Sequence, residues 1–566
     1  MRKEVFSSLI AQTLLALVVG ILVAITAHYF VEGARYLLSL RDVEILSLNI
    51  SDSSYSLVPI VSMLVAAVLI ILVRRLLGVT KWSGPADSIY ALHQSKVGVD
   101  VKIGIGSTLA AFISAGGGAS VGQYGPLVHF GATLATIISK FSGKFIRKDV
   151  FIACGVAAAI SSGFNAPIAG IIFAHEALLR RFSIGGLAPI SVASIVAAAT
   201  NRYLFDADLA FMVPSSNLEL GAVLPFVIIF APICSAVAIL YMVSLRSCQR
   251  IAASGNYHFN ILIFGTAITV GLIGVFIPDV LGLGSYQINQ ILMSNYDLTF
   301  LLIILIAKIL VTAMCIGFGF FGGVFGPALF VGAALGGFLS GLLIQVGLSA
   351  EYGSIIAVAT LAAVGSSVIG APLTVVLIIL ELTGSYQYAL MALLSVTLCS
   401  TLTYKLFGLS FFDRQLLDRG IDLSRGREYI HMTQIRVEEL EHSEYLAFNP
   451  ESSPKDIMRD MMEKQVTEAY VVDNENTLVG KINIVSLIED TESIMNIIDK
   501  TPVALQTTNS LTEALEIASD FVGESIPIVK GNKLEGAITE GDLFTKVLAI
   551  QDDLRNEETE GNGVTG

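Results

Sequence analysis

Two runs of eleven residues, GQYGPLVHFGA at 122–132 and GVFGPALFVGA at 323–333, carry glycines, a proline and a terminal Gly-Ala at the same offsets. A second pair follows in the same order: VAAAISSGFNAPIAGIIFAHE at 156–176 and LAAVGSSVIGAPLTVVLIILE at 361–381, where Pro167 and Pro372 each precede a glutamate by nine residues. Spacings of 201 and 205 residues in one chain order indicate a duplication. The constraint is severe, because membrane repeats of this kind place a substrate site where the related halves meet. Tight helix packing explains the small residues of AAAISSG and GSSVIGA. It does not explain two G-x-x-G-P runs that open apolar helices in register.

The setting of these repeats is apolar. Hydrophobic residues make up 54% of the 566, and the mean hydropathy is +0.74, above the range of soluble domains. A polytopic membrane protein with a soluble attachment is expected, and charge locates the attachment: residues 421–566 hold 29 acidic and 12 basic side chains, leaving 18 and 22 in the first 420. Apolar helical segments fall near 7–40, 55–78, 101–115, 126–140, 149–164, 168–182, 185–203, 218–246, 258–278, 298–316, 327–347, 353–368, 371–383 and 387–407. Many are too short for a hydrocarbon core of about 30 Å, which needs roughly 20 residues. Short apolar helices broken by glycine belong to channels and transporters, where irregular backbone survives beside protein or a watery cavity.

The opening stretch MRKEVFSSLIAQTLLALVVGILVAI has no A-x-A cleavage pattern. It reads as a first membrane helix with Arg2 and Lys3 on the cytoplasmic side. Cys154, Cys234, Cys248, Cys315 and Cys399 all lie in the apolar body at no metal-ligand spacing, so packing is their expected role and neither a disulfide framework nor a metal site is anticipated.

The acidic tail repeats as well. TEAYVVDNENTLVGKINIVSLIE at 467–489 and ESIPIVKGNKLEGAITEGDLFTKV at 524–547 each read as strand, polar turn, glycine, strand and helix, and each follows an amphipathic helix, at 454–464 and 511–521. Two such units suggest a pseudo-symmetric regulatory module. The last stretch, QDDLRNEETEGNGVTG at 551–566, is charged and glycine-rich and reads as a disordered tail.

Four motifs in chain order carry a resemblance: 83-SGPA-86, 122-GQYGP-126, 323-GVFGP-327 and 408-GLSFF-412. With the repeats, they make the body similar to CLC chloride channels and chloride/proton exchangers, and the tail resembles the paired CBS domains of that family. The resemblance implies an all-α polytopic membrane domain over residues 1–423, with an inverted repeat and broken helices. It also implies an α/β CBS pair over 424–550, a homodimer with an anion pathway in each subunit, and a plasma (inner) membrane location with the N-terminus and the CBS pair cytoplasmic. Chloride or another small anion and membrane lipid are the expected partners, and no nucleic acid is.

Physical chemistry supports carrying the site over. A helix N-terminus offers unpaired N–H groups and about half a positive charge, so an anion binds there without a buried lysine or arginine that would hold it too tightly. Glycine lets backbone approach the ion, and proline in the first turn costs no hydrogen bond. The resemblance assigns the anion to the Ser83 hydroxyl beside Gly84, and to amides near Gly122, Gln123, Tyr124 and Gly125 facing others near Gly323, Val324 and Phe325.

Three departures bear on function. The family's gating glutamate is here Tyr124, whose phenol, with an ordinary pKa near 10, stays protonated at neutral pH and cannot mimic chloride or shuttle protons by the same cycle. The second, intracellular proton glutamate aligns with Ala177 in 170-GIIFAHEAL-178. The family's inner tyrosine hydroxyl is absent, because Phe412 takes its place and Phe411 offers none either. Gln123 stands where a cation is usual. Loss of both proton stations points to proton-uncoupled anion flux, gated at Tyr124 and Phe412; the alternatives are transport of bicarbonate or nitrate, or exchange through unfamiliar residues. Tyr124 either lines and narrows the pathway or packs against a neighbouring helix.

Other readings are weaker. The run 118-GASVG-122 fits the pattern of a Ser120 nucleophile, but that motif needs a strand-turn-helix elbow and an activating histidine, and His129 is ordinary in the family pattern. No enzyme is expected. A cation path needs carboxylates or carbonyl rings inside the membrane, and Glu176 and Glu381 read better as structural or vestibule groups. In the tail, 536-GAITEGD-542 fits a ribose-binding pattern through Thr539 and Asp542, so an adenine nucleotide is the one cofactor-like ligand considered; a purely structural dimerisation module is the competing reading.

Overall fold

Proline and short polar caps set the helix starts of the apolar body. Pro167 and Pro372 open their helices at the first turn, where a missing N–H costs nothing. Asp100, Ser183 and Asp297 accept hydrogen bonds from the N–H three residues on. Left-handed residues close others, among them Gly78, Asn165 and Gly370.

The computed structural model describes residues 2–40, 47–50, 53–94, 98–140, 147–206, 211, 213, 219–255, 257–488 and 493–561. They fall into two units, Met1–Leu92 with Lys96–Gly420, and Ile421–Gly566 with His93–Ser95.

In the first unit, α1 (Arg2–Ser39) is followed by a hairpin of β1 (Ser47–Ile50) and β2 (Ser53–Ser56). Then come α2 (Val58–Leu77), α3 (Pro85–His93), α4 (Val101–Gly116), α5 (Tyr124–Ser139), α6 (Lys148–Phe164) and α7 (Pro167–Phe173), the last continuing as a π turn over Ala174–Leu179. After α8 (Ile184–Leu204), α9 (Leu220–Ala253), α10 (Phe259–Phe276), α11 (Ser285–Leu292) and α12 (Leu298–Gly317), the first half's pattern returns as α13 (Phe325–Gln345), α14 (Gly353–Ile369) and α15 (Pro372–Thr383). The unit ends with α16 (Tyr386–Leu406) and α17 (Phe411–Leu417).

Among the described residues nine helices are long and apolar enough to cross a membrane, while Val101–Gly116, Pro167–Leu179 and Pro372–Thr383 are shorter. Every residue of α14 is buried, as a helix apolar on all sides requires. The repeats pack alike. A Cβ at Gly131 would lie 2.2 Å from the Gly155 carbonyl oxygen, and one at Gly155 would lie 2.1 Å from that of Gly131, so α5 and α6 touch backbone to backbone. Gly332, the repeat equivalent of Gly131, holds α13 against Leu361 in the same manner.

Three short helices, α3, α11 and α17, lie outside the apolar segments read from the sequence. Their seven to nine residues give too little periodicity to register.

The second unit holds short 3-10 turns and α18 (Gly426–Gln434), then β3 (Ala447–Phe448), α19 (Pro454–Lys464), β4 (Glu468–Val472) and β5 (Leu478–Asn483). Its second half has β6 (Leu505–Gln506), α20 (Leu511–Ser519), β7 (Ile526–Lys530), β8 (Lys533–Ile538) and α21 (Glu540–Gly561). Each half makes a three-stranded sheet, with one parallel pair, one antiparallel pair and a bulge at the same place. The halves are stitched reciprocally: Glu468 accepts the N–H groups of Glu524 and Ser525, and Glu524 accepts that of Thr467. The expected helix after β5 is a single 3-10 turn, Ile484–Leu487. The expected disordered tail is helical as far as Gly561, because Ile550 and Leu554 pack on the core of the second half; residues 562–566 lie outside the described residues.

Candidate functional site

The two G-x-x-G-P runs meet each other. Gly122 N–H donates to the Gly323 carbonyl and Gly323 N–H to the Gly122 carbonyl, each at 2.7 Å. Contact this close demands glycine, since a Cβ on Gly323 would sit 2.7 Å from the Gly125 nitrogen and one on Gly122 would sit 2.9 Å from the Gly323 oxygen. The pairing brings the starts of α5 and α13 together. It also corrects the sequence reading: the amides of Gly122 and Gly323 are spent on one another and do not face an anion. The first-turn amides of Tyr124, Gly125, Phe325 and Gly326 remain, which have no partner within their own helices.

Gly84 is corrected in the same way. Its N–H donates to Asp87 Oδ2 at 2.7 Å, so Asp87 already caps α3. Ser83 N–H donates to Ser107 Oγ at 2.9 Å, and the half-buried Ser83 hydroxyl has no partner among the described residues.

A vestibule of about 840 Å³ ends at this junction. Trp82, Gly84, Gly323, Val324, Phe411 and Phe412 line its motif side, and Arg74, Lys81, Arg246, Arg250 and Arg419 outnumber Asp87 and Asp418 around it. Arg246 pairs with Asp418 and Arg419 with Asp87. Arg74 donates to the Val79 and Thr80 carbonyls beneath the Phe259 ring. Asp87, already paired with Arg419, is the carboxylate that Lys81 feels, and a concave surface with surplus cations concentrates anions.

Tyr124 sits beyond the vestibule. Its ring stacks on Phe164 at 3.8 Å between centroids with 8° between planes, and Phe325 packs on both. The tyrosine, 5% exposed, also lines a second, small cavity with Gln123, Ser285 and Gly326. No residue lines both cavities. Tyr124 is thus packed against its neighbouring aromatic rings, and the cavity it lines is separate from the vestibule. Gln123 is buried with its Oε1 unpartnered in this structure.

Ala177 is buried within the π turn. Its neighbour Glu176 accepts hydrogen bonds from the Leu373 and Thr374 N–H groups at the start of α15, and Glu381 accepts those of Ile168 and Ala169 at the start of α7. The repeat-equivalent glutamates thus cap each other's helices, a structural role. Ser120 Oγ lies 2.8 Å from Thr312 Oγ1, and His129 Nδ1 lies 2.7 Å from Ser88 Oγ, so Ser120 has a hydroxyl neighbour where acyl transfer needs imidazole.

Sequence reasoning missed Phe164, Asp87 and Tyr241, whose buried hydroxyl donates to the Val324 carbonyl at 2.9 Å. An aromatic residue inside an apolar helix carries no mark of such a contact.

In the second unit, Thr539 donates from N and Oγ1 to Asp542 Oδ2 at 3.0 and 2.7 Å, and Ser443 Oγ donates there too. Partial burial raises the Asp542 pKa, but these hydrogen bonds outweigh it and hold the carboxyl below its usual range.

Helix N-termini paired across a duplication thus meet the end of a basic vestibule within an apolar helical unit. The chain belongs to the voltage-gated chloride channel (CLC) family, whose model matches residues 65–404. It is 26% identical to the chloride channel protein CLC-f of Arabidopsis thaliana over 484 residues, 79% of this chain and 58% of the relative. It is 26% identical to the H(+)/Cl(-) exchange transporter ClcA of Vibrio vulnificus over 368 residues, 62% of this chain and 76% of that protein. Of Arabidopsis CLC-e it spans only 46%. In fold it is similar to a slow cyanobacterial Cl−/H+ antiporter, with TM-score 0.62, 18% identity and coverage of 72% of this chain and 98% of the other. A eukaryotic CLC transporter matches with TM-score 0.61 and 18% identity over 94% of this chain and 98% of its own.

Proposed function

We propose that this chain is a pathway for a small anion of the chloride kind, operating without obligatory proton exchange. The observation that carries the reading is the head-to-head approach of two helix starts, at Tyr124 and Phe325, where a basic vestibule ends. Uncoupling is inferred from the neutral side chains at Tyr124 and Ala177, which offer no carboxylate to exchange a proton. Ser83, with its free hydroxyl, is the side chain for the central anion, and Phe412 makes the inner mouth apolar. Chloride is the named substrate of ClcA, and another structural neighbour is a CLC-type fluoride/proton antiporter, with TM-score 0.59 and 21% identity. A different preferred anion, such as bicarbonate or nitrate, or exchange through other residues, is therefore the second reading.

Purified protein in liposomes loaded in turn with chloride, nitrate, bicarbonate and fluoride tests this. Efflux of at least one anion above a protein-free control, reduced in Ser83→Ala, supports the pathway. Efflux of potassium in place of every anion sinks it.

The reading extends to a homodimer in a bounding membrane with the C-terminal unit cytoplasmic. That unit is taken as a CBS pair on the strength of its two matching sheets, with Thr539 and Asp542 as the ribose contacts of an adenine nucleotide. The competing role, a structural module alone, leaves those residues without a ligand.

A further inference from the structure

Three arginine–aspartate pairs converge on α17, the seven-residue helix that carries Phe411 and Phe412. Asp413 pairs with Arg180, a left-handed residue (φ 54°) that ends the π turn. Asp418, just past the helix, accepts three hydrogen bonds from Arg246 of α9, Nη2 to Oδ1 at 2.7 Å, Nη2 to Oδ2 at 2.9 Å and Nε to Oδ2 at 3.2 Å. Arg419 donates to Asp87 Oδ1 of α3 at 2.6 Å, and the other oxygen of Asp87 accepts the Gly84 N–H at 2.7 Å.

A helix of two turns has few internal hydrogen bonds with which to hold its own place. Its position comes from what grips it. Arg180 and Arg246 hold α17 to the π turn and to α9, whereas, among the ion pairs of the described residues at α17, that of Asp87 and Arg419 reaches the turn at Ser83–Gly84. Gly84 and Phe412 line the same vestibule, and the pair is about three-quarters buried, at 25% and 27% exposure. One carboxylate therefore links the helix bearing the apolar mouth to the turn bearing the anion hydroxyl.

We propose that Asp87 and Arg419 are positioning residues that set the separation of Phe412 from the Ser83–Gly84 turn, and with it the opening of the inner mouth. The inference rests on the anion-pathway reading, yet its test needs no ion flux. A purely electrostatic role makes opposite predictions for the two partners: Asp87→Asn leaves a free cation at the mouth and Arg419→Gln leaves a free anion. A positioning role makes the same prediction for both.

The experiment labels Phe412→Cys in the full chain with a neutral maleimide, read by mass on the peptide bearing that position, so that native cysteines do not interfere. Asp87→Asn and Arg419→Gln should each raise the labelling rate, roughly fivefold, as loss of an ion pair of ordinary strength implies. The reversed pair, Asp87→Arg with Arg419→Asp, re-forms the ion pair but offers Gly84 N–H no acceptor, so it should restore the slow rate in part. Arg419→Lys keeps the charge with a shorter reach, should give an intermediate rate, and serves if the other variants do not fold. Unchanged rates, rates that move in opposite directions, or no restoration by the reversed pair would overturn the proposal. Liposomes without anion flux would instead sink the pathway reading while leaving the labelling result standing.

Discussion

Under the proposed function Tyr124 meets two demands with one side chain: a neutral phenol where the family resemblance implies a gating carboxylate, and a ring packed between Phe164 and Phe325. Tyr124→Ala should therefore speed anion flux and lower the melting temperature in detergent, since truncating a buried aromatic residue typically costs roughly 3 kcal/mol. Unchanged flux with lowered stability would leave packing as its only role. Tyr124→Glu should make flux rise as pH falls. A carboxylate there is charged above its pKa, about 4.3 before burial raises it; it then competes with the anion and withdraws when protonated. Wild type should stay flat from about pH 6 to 8, well below the phenol range, and a flat profile in the glutamate variant would contradict the assignment of this position. The sequence located Tyr124 because a motif fixes it. It did not reveal that Gly122, Gly323 and Gly84 spend their amides on protein partners, since the partner of an N–H is decided by tertiary structure and not by spacing.

At the scale of elements, the duplication was legible and its consequence was not. Proline, glycine and glutamate at matching offsets announced related halves, but only the folded chain shows Glu176 and Glu381 crossing over to cap one another's helices. Glu381→Ala should destabilise by about 1–2 kcal/mol, the cost of a lost N-cap, read as a lower denaturation midpoint in detergent. Glu381→Gln should lose less, because its amide oxygen still accepts one N–H. Equal losses would mean that charge at the helix start, not acceptance of the hydrogen bonds, is what matters. Long apolar helices were readable from their hydropathy and length. The short ones, α3, α11 and α17, were not, and two of these place Asp87 and Phe412 beside the vestibule.

Across the whole molecule, the chain forms two units, charge balance changes sign along the sequence near residue 420, and the paired strand patterns of the tail appear as two three-stranded sheets. Its final helix was misread because charge masked the apolar contacts of Ile550 and Leu554. If the second unit senses an adenine nucleotide, ATP or AMP should raise the melting temperature of the full protein, and Asp542→Ala should remove the shift. No shift with either nucleotide would leave the unit a structural module. Proton-uncoupled anion flux through the membrane unit is tested most directly by one recording: internal pH during chloride flux from liposomes holding purified protein under a chloride gradient. Chloride movement with no proton movement beyond the protein-free control is the predicted result. Uphill proton movement driven by the chloride gradient would contradict it, and would mean that residues other than Tyr124 and Ala177 carry protons through this fold.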